Sequence, residues 1–141
     1  MSDDEIRRIL LETRRIAVVG ASDRPDRPSF GVTRFLISRG YQVVPVNPGL
    51  AGKQVHGIPV VGSLEEAGPL DMVDVFRRSA DAGAVVDQAI ALGARTAWLQ
   101  LGVVDAAAEA RARAAGLDFV MDRCPVIEWR RLGLPDRVTL A

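Results

Sequence analysis

Five short apolar runs, at residues 16–20, 41–46, 72–76, 96–101 and 117–121, divide this chain at regular intervals, and they constrain its fold more than any other feature. Ile16-Ala17-Val18-Val19-Gly20 is typical: continuously apolar, too short for a helix, and ended by glycine. A strand buried on both faces reads this way, whereas a half-exposed strand alternates. Between the runs lie segments with helical spacing. Ile6, Ile9 and Leu10 predict a leading helix over 3–13, and Val32, Phe35 and Leu36 predict one ending near Gly40. Ser63-Leu64-Glu65-Glu66 has the form of a capping box opening a short helix, and Asn47-Pro48-Gly49 is a turn. Further helices are expected over 81–92 and 105–115, with a short helix or turn over 125–132.

Strands separated by helices pair in parallel through right-handed crossovers. The expected architecture is therefore α/β: a three-layer, Rossmann-like, doubly wound parallel five-stranded sheet with strand order 3-2-1-4-5. A chain of 141 residues suits a single domain, here 1–141, with its core over about 14–130. Such sheets bind ligands at the carboxyl ends of the strands, where the strand order reverses. Gly20-Ala21-Ser22, Asn47-Pro48, Phe76-Arg77 and Leu101-Gly102 are expected to converge there.

Composition excludes several classes of function. The formal net charge is zero, so no global field draws the chain to nucleic acid or to an anionic membrane. The acidic start, Ser2-Asp3-Asp4-Glu5, is unlike a signal peptide, and no apolar run approaches a membrane span. One cysteine, Cys124, allows neither an internal disulfide nor a cysteine-based metal site. These features predict a cytoplasmic protein without a metal.

Any anion site must then be local, and the loop after the first strand has its composition. It runs Gly20-Ala21-Ser22-Asp23-Arg24-Pro25-Asp26-Arg27-Pro28-Ser29-Phe30-Gly31. Gly20 permits a tight turn; Ala21 and Ser22 are small enough to leave amides and a hydroxyl accessible. The helix that follows points its positive end at the loop, and Arg24 and Arg27 bring forked cations suited to phosphate. A plain strand-to-helix turn remains the alternative for Gly20. Lys53, the only lysine, reads either as a point charge for a phosphate or as a solvated loop residue. The NAD fingerprint is absent: Ser22 and Pro25 stand where its second and third glycines belong, and the second strand ends in Asn47 rather than an acid.

Taken together, Val19-Gly20-Ala21-Ser22, Arg27-Pro28-Ser29-Phe30-Gly31-Val32, Val44-Pro45-Val46-Asn47-Pro48, Asp74-Val75-Phe76-Arg77, Trp98-Leu99-Gln100-Leu101-Gly102 and Val120-Met121-Asp122-Arg123-Cys124-Pro125 resemble the small stand-alone CoA-binding domain proteins. The likeness spans roughly residues 5–130. It extends to the N-terminal, CoA-binding half of the succinyl-CoA ligase α subunit, through Pro48-Gly49, Gly52-Lys53 and Gly57-Ile58-Pro59-Val60. The resemblance implies the ADP moiety of coenzyme A, or of an acyl-CoA, at the carboxyl edge of the sheet. Gly20, Ala21 and Ser22 would wrap the pyrophosphate, Asn47 and Pro48 would flank the nucleotide, and Lys53 would lie near a phosphate. Phe76 and Arg77 would border the pantetheine or adenine. The ligase enzymes carry their phosphorylated histidine on a second domain, for which this chain has no counterpart.

Other reactive residues read as structural. His56 lies in a loop beside Gly57. Cys124 is expected to be a small, partly buried cysteine, although Arg123 beside it would favour a thiolate able to pair with the CoA thiol. Trp98 is expected in the core, and Trp129 over the sheet edge or a partner subunit. No nucleophile–base–acid set can be assembled. The leading reading is a CoA-binding protein without evident catalytic machinery. The alternatives are an assembly or regulatory subunit with a vestigial pocket and an unidentified protein partner, or a small enzyme using CoA or another nucleotide cofactor.

Overall fold

The computed structural model describes residues 1–136. Helix α1 (Asp3–Glu12) leads into β1 (Arg15–Val19), α2 (Pro28–Ser38) and β2 (Gln42–Val46). A small hairpin of β3 (Gln54–Val55) and β4 (Ile58–Pro59) follows. The chain then alternates through β5 (Met72–Val75), α3 (Ser79–Ala91), β6 (Thr96–Leu99), α4 (Ala106–Ala114), β7 (Asp118–Val120) and α5 (Pro125–Leu132). Five strands form one wholly parallel sheet in the order β2-β1-β5-β6-β7. The Rossmann-like, three-layer single domain is as expected from the alternation of apolar runs and helices.

The strand order is not. Counting sheet strands along the chain it is 2-1-3-4-5, where 3-2-1-4-5 was expected. The crossover rule fixes the hand of each connection but not the side on which the third strand lands. Pro45 explains the outcome. It sits in β2 opposite Val18, and its carbonyl turns away from β1 to accept from the Val61 amide at 3.0 Å. Its nitrogen therefore faces the same outer side, where the missing N–H breaks no ladder bond. A proline belongs on such an edge and not inside a sheet.

Side chains alternate across β1. Ile16 and Val18 pack with Ile6, Ile9, Leu10, Val32, Leu36 and Trp98 under α1, α2 and α5. Ala17 and Val19 pack with Val73, Val75, Ala82, Val86, Leu99 and Phe119 under α3 and α4. Each large aliphatic side chain fully buried here contributes roughly 1.5–3 kcal/mol of transfer free energy. The capping box at Ser63 yields only a 3-10 turn over Glu65–Ala67, with Ser63 Oγ accepting from the Glu66 amide at 3.4 Å. Between β3 and β4 the chain reverses in two residues, His56 and Gly57, both at positive φ (51° and 79°). That is the hairpin geometry suited to right-twisted strands, and it replaces the simple loop expected from sequence.

Helix α5 is tied down from several sides. Trp98 is fully buried, as expected, and its Nε1 donates to the Arg123 carbonyl at 2.8 Å. Trp129 does not cover a sheet edge: it is buried, with Phe35 and Tyr41 meeting it edge-on at 6.4 and 5.7 Å. Its place on the inner stripe of an amphipathic helix, next to two other aromatic rings, accounts for the burial. Glu128 accepts from Arg123 and from Arg131, each at 2.7 Å, and Arg131 reaches Asp3 of α1 at 2.9 Å. Burial opposes the charge on Glu128, but the two arginine bonds outweigh it and hold its pKa below the usual glutamate value. Glu128→Ala should therefore cost about 2 kcal/mol in urea unfolding at pH 7. A carboxylate with a depressed folded pKa stabilises above its unfolded pKa, near 4.5 here, and the gain disappears as pH falls through the folded value. The gap between wild type and variant should close on acidification, and equal stability at pH 7 would contradict this role.

Candidate functional site

With β2 on one side of β1 and β5 on the other, the chain winds outward in opposite directions from these two central strands. A crevice opens at their carboxyl ends, the switch point of the sheet. The structure holds a cleft of about 810 Å³ there, within the usual range for small-molecule sites. Gly20, Ala21, Ser22, Asp23, Arg24 and Arg27 line it from the first loop, and Pro28 and Ser29 from the start of α2. Asn47, Gly49 and Leu50 contribute after β2; Phe76, Arg77 and Arg78 after β5; Gln100, Leu101 and Val103 after β6.

Eight of the ten residues expected at the site thus meet in one cleft. Pro48 and Lys53 do not line it. Both are exposed, Pro48 at the start of a 3-10 turn over Pro48–Leu50 and Lys53 on the segment leading to β3. Arg78, Gln100 and Val103 line the cleft without having been singled out. The cue for Gln100 was available: it is a polar residue within the otherwise apolar run Trp98-Leu99-Gln100-Leu101.

The first loop differs in one respect from what its composition suggests. The amides of Gly20 and Ala21 are not free, because both donate to the Val46 carbonyl, at 3.0 and 3.3 Å. Gly20 is at φ 92°, and a Cβ there would collide with the Phe76 carbonyl. The glycine is thus required by the approach of two strand ends, and its substitution would test the fold before it tested a ligand. Asn47 is also committed: its Nδ2 donates to the Ala21 carbonyl at 2.7 Å and its Oδ1 accepts from the Gly49 amide at 2.9 Å. It staples the first loop to the turn after β2. Ser22 Oγ accepts from the Arg24 amide at 3.1 Å, which leaves its hydroxyl proton to donate.

Charge at the cleft lies where it would not help an empty protein. Helices α1 and α4 begin with Ser2 and Asp105, whose side chains accept from first-turn amides. Helices α2 and α3, which start at the cleft, have Arg27 and Arg78 at the cap position and no capping bond from a side chain. A cation at the positive end of a helix forgoes the roughly 0.5–2 kcal/mol that a serine or aspartate cap supplies. An anion drawn against both the first-turn amides and the arginine offsets that loss. Arg24 is shared with Asp26 at 3.5 Å, and Arg78 with Asp81 at 3.0 Å. Arg27 and Arg77 have no carboxylate partner among the described residues. These features fit a phosphate-bearing ligand with apolar parts to lay against Leu50, Phe76, Leu101 and Val103.

The residues singled out for chemistry elsewhere are held structurally. His56 Nε2 lies 2.8 Å from the Phe30 carbonyl, with its ring 4.3 Å from that of Phe30. Cys124 is buried at the start of α5. Among the described residues no group of three or more His, Cys, Asp or Glu could hold a metal ion, and no helix is long and apolar enough to cross a membrane.

The sheet defines a class, the Rossmann-like α/β domains with a cleft at the switch point, and the comparisons define the family. Residues 14–130 match the CoA binding domain family, and the chain belongs to it. It is 40% identical over 124 residues to the Bacillus subtilis (strain 168) protein YneT, covering 87% of this chain and 90% of that one. A solved structure, cell-free ID.343 from Thermus thermophilus, is similar at 38% identity and a TM-score of 0.87, covering 94% of this chain and 99% of that one. The dinucleotide-forming acetyl-coenzyme A synthetase 1 of Ca. Korarchaeum cryptofilum shares the fold at 20% identity and a TM-score of 0.68, covering 83% of this chain and 28% of that one. Membership of this family supports CoA as the small-molecule ligand.

One buried group in β5 has no partner among the described residues. Asp74, between Val18 and Trp98, is fully buried, and neither carboxylate oxygen has a hydrogen-bond partner among the described residues. Desolvation pushes its pKa well above the usual carboxylate range. The folded state therefore binds this proton more tightly than the unfolded chain. Stability is full below the unfolded pKa, near 3.8, and declines as pH rises toward the folded value. Asp74→Asn should raise the melting temperature at pH 7, with the difference shrinking toward pH 4. A variant less stable than wild type at pH 7 would show that Asp74 has a partner as an ion.

Proposed function

We propose that the protein is a cytoplasmic binder of coenzyme A, or of an acyl-CoA, that takes the ADP moiety at the carboxyl edge of the sheet and has no turnover of its own. One observation carries this reading: α2 opens onto the switch-point cleft with Arg27 at its cap position and no side chain closing its first amides. The diphosphate would lie against the free amides of Ser22 and Asp23, the Ser22 hydroxyl and the Arg27 guanidinium. The amides of Gly20 and Ala21 would act indirectly, by fixing the loop on Val46. The nucleoside would sit beside Asn47 and Leu50, and the pantetheine would run past Phe76 toward Leu101 and Val103. Lys53 and Pro48 would contribute from outside the cleft, as a distant charge and as a rigid turn. A catalytic step would need a reactive set that the sequence does not assemble around this cleft.

Arg27→Ser separates binding from folding. Serine is a good cap where arginine is a poor one, so the variant should gain about 0.5–1 kcal/mol of stability. Losing one charge-assisted contact to a phosphate should weaken CoA binding about tenfold. Titration calorimetry of the ligand-stripped protein with CoA, with ADP and NAD as controls, reads the second effect. CoA should bind at micromolar or tighter affinity and clearly above NAD. An Arg27→Ser variant that binds CoA like wild type would remove the loop from the site, and a wild type that ignores CoA would overturn the function.

A further inference from the structure

We propose that His56 is a positioning residue for the cleft: the β3–β4 hairpin runs from the outer edge of β2 to the first turn of α2 and holds the first loop at both ends. The bracing follows from the protein's own contacts, whereas its effect on binding rests on the CoA reading above.

The base of the hairpin is fixed on the sheet. Gln54 pairs with Pro59 and Val55 with Ile58, and the Val60 amide donates to the Lys53 carbonyl at 2.8 Å. Val61, next in the chain, bridges to Val46 at the end of β2. Its amide donates to the Pro45 carbonyl and its carbonyl accepts from the Asn47 amide, each at 3.0 Å. Asn47 in turn holds the Ala21 carbonyl through its Nδ2. The start of the first loop is thereby tied to the hairpin.

The tip of the hairpin takes the other end of the loop. His56 Nε2 lies 2.8 Å from the Phe30 carbonyl in the first turn of α2, and the two rings meet at 4.3 Å between centroids. A carbonyl can only accept, so Nε2 carries the hydrogen. The turn itself does not call for this residue. His56 is at φ 51°, and the first position of a two-residue hairpin ahead of glycine ordinarily takes asparagine, aspartate or glycine. Histidine there accepts backbone strain, and its ring and donor are directed at Phe30. Helix α2 needs outside support, since it starts with Arg27 at the cap position, no capping bond from a side chain, and Pro28 in its first turn. A helix start without a cap is weakly held by its own bonds. The Phe30 amide donates to the Arg27 carbonyl at 3.0 Å, so holding Phe30 also holds the Arg27 backbone. The wall of the cleft is thus set before a ligand arrives, which lowers the ordering cost of binding.

Two substitutions separate the turn from the brace. His56→Asn suits the turn but is too short to reach Phe30, whereas His56→Gln brings an amide nitrogen close to the place of Nε2. Wild type and both variants are compared by melting temperature, by amide hydrogen exchange and by calorimetric titration with CoA. His56→Asn should keep a melting temperature close to wild type, the better turn residue offsetting the lost contact. Its amides over residues 27–34 should exchange about fivefold faster, with those of β1 and β5 unchanged. CoA should bind to it about fivefold more weakly, the loss expected of one neutral hydrogen bond. His56→Gln should stay within about twofold of wild type in both exchange and affinity. Wild-type exchange in His56→Asn, faster exchange with unchanged affinity, or a His56→Gln variant as impaired as His56→Asn would overturn the positioning role and leave the CoA reading standing. A wild type that ignores CoA would overturn the CoA reading, and the exchange rates would still decide whether His56 holds α2.

Discussion

The carboxyl ends of β1 and β5 meet at Gly20 and Phe76, and the cleft depends on how closely they do so. The Phe76 amide donates to the Val19 carbonyl at 2.8 Å, and the Phe76 carbonyl occupies the place a side chain on Gly20 would need. Glycine at positive φ is the residue that allows both. Because the two strands lead their connections in opposite directions, this contact also marks where the helices diverge and the floor of the crevice opens. On the other side of β1, the Val46 carbonyl gathers the Gly20 and Ala21 amides, and Asn47 clamps Ala21 from beyond. The first loop is therefore fixed by backbone bonds to both neighbours before any ligand arrives, which lowers the ordering cost of binding.

In the proposed binding mode that rigidity leaves recognition to other groups. With the amides at the strand end already bonded, selection for anions would fall to the uncapped helix starts and to arginines without a carboxylate partner among the described residues. The contrast within one molecule is informative: Ser2 and Asp105 cap α1 and α4, whereas arginine stands at the cap positions of the two helices that open on the cleft. The zero net charge of the chain fits this arrangement. In the proposed binding mode an anionic ligand would be met by local groups at the cleft, since a chain of zero net charge exerts no global attraction on polyanions.

Most of the elements were legible in the sequence because each carries its own local pattern. The apolar runs gave five strands, and α5 lies over Pro125–Leu132, where a short helix or turn was expected. Strand order was harder, since it depends on a choice that local pattern does not encode. Pro45 was the one residue that could have settled it, because a proline without an N–H belongs on an edge. The site was legible as a set of loops but less so as a set of roles. Gly20 reads as phosphate-binding in sequence and is fixed by the Phe76 carbonyl in space. Asn47 reads as a nucleotide contact and proves to be a staple between loops. Gln100 carried a cue, a polar residue just after the apolar β6, but its place on the cleft wall shows only once the loops are assembled. Trp129 looked like a cover for an edge until the rings of Phe35 and Tyr41 were placed beside it.

The central claim, that the switch-point cleft takes the phosphates of CoA, is tested most directly by following backbone amide chemical shifts while CoA is titrated into the labelled protein. Saturable shifts are expected at residues 22–29, 76–79 and 100–103, with little change at Thr13, Asp71 and Arg95 on the opposite, amino edge of the sheet. Shifts centred on that amino edge, or spread evenly over the molecule without saturating, would contradict it.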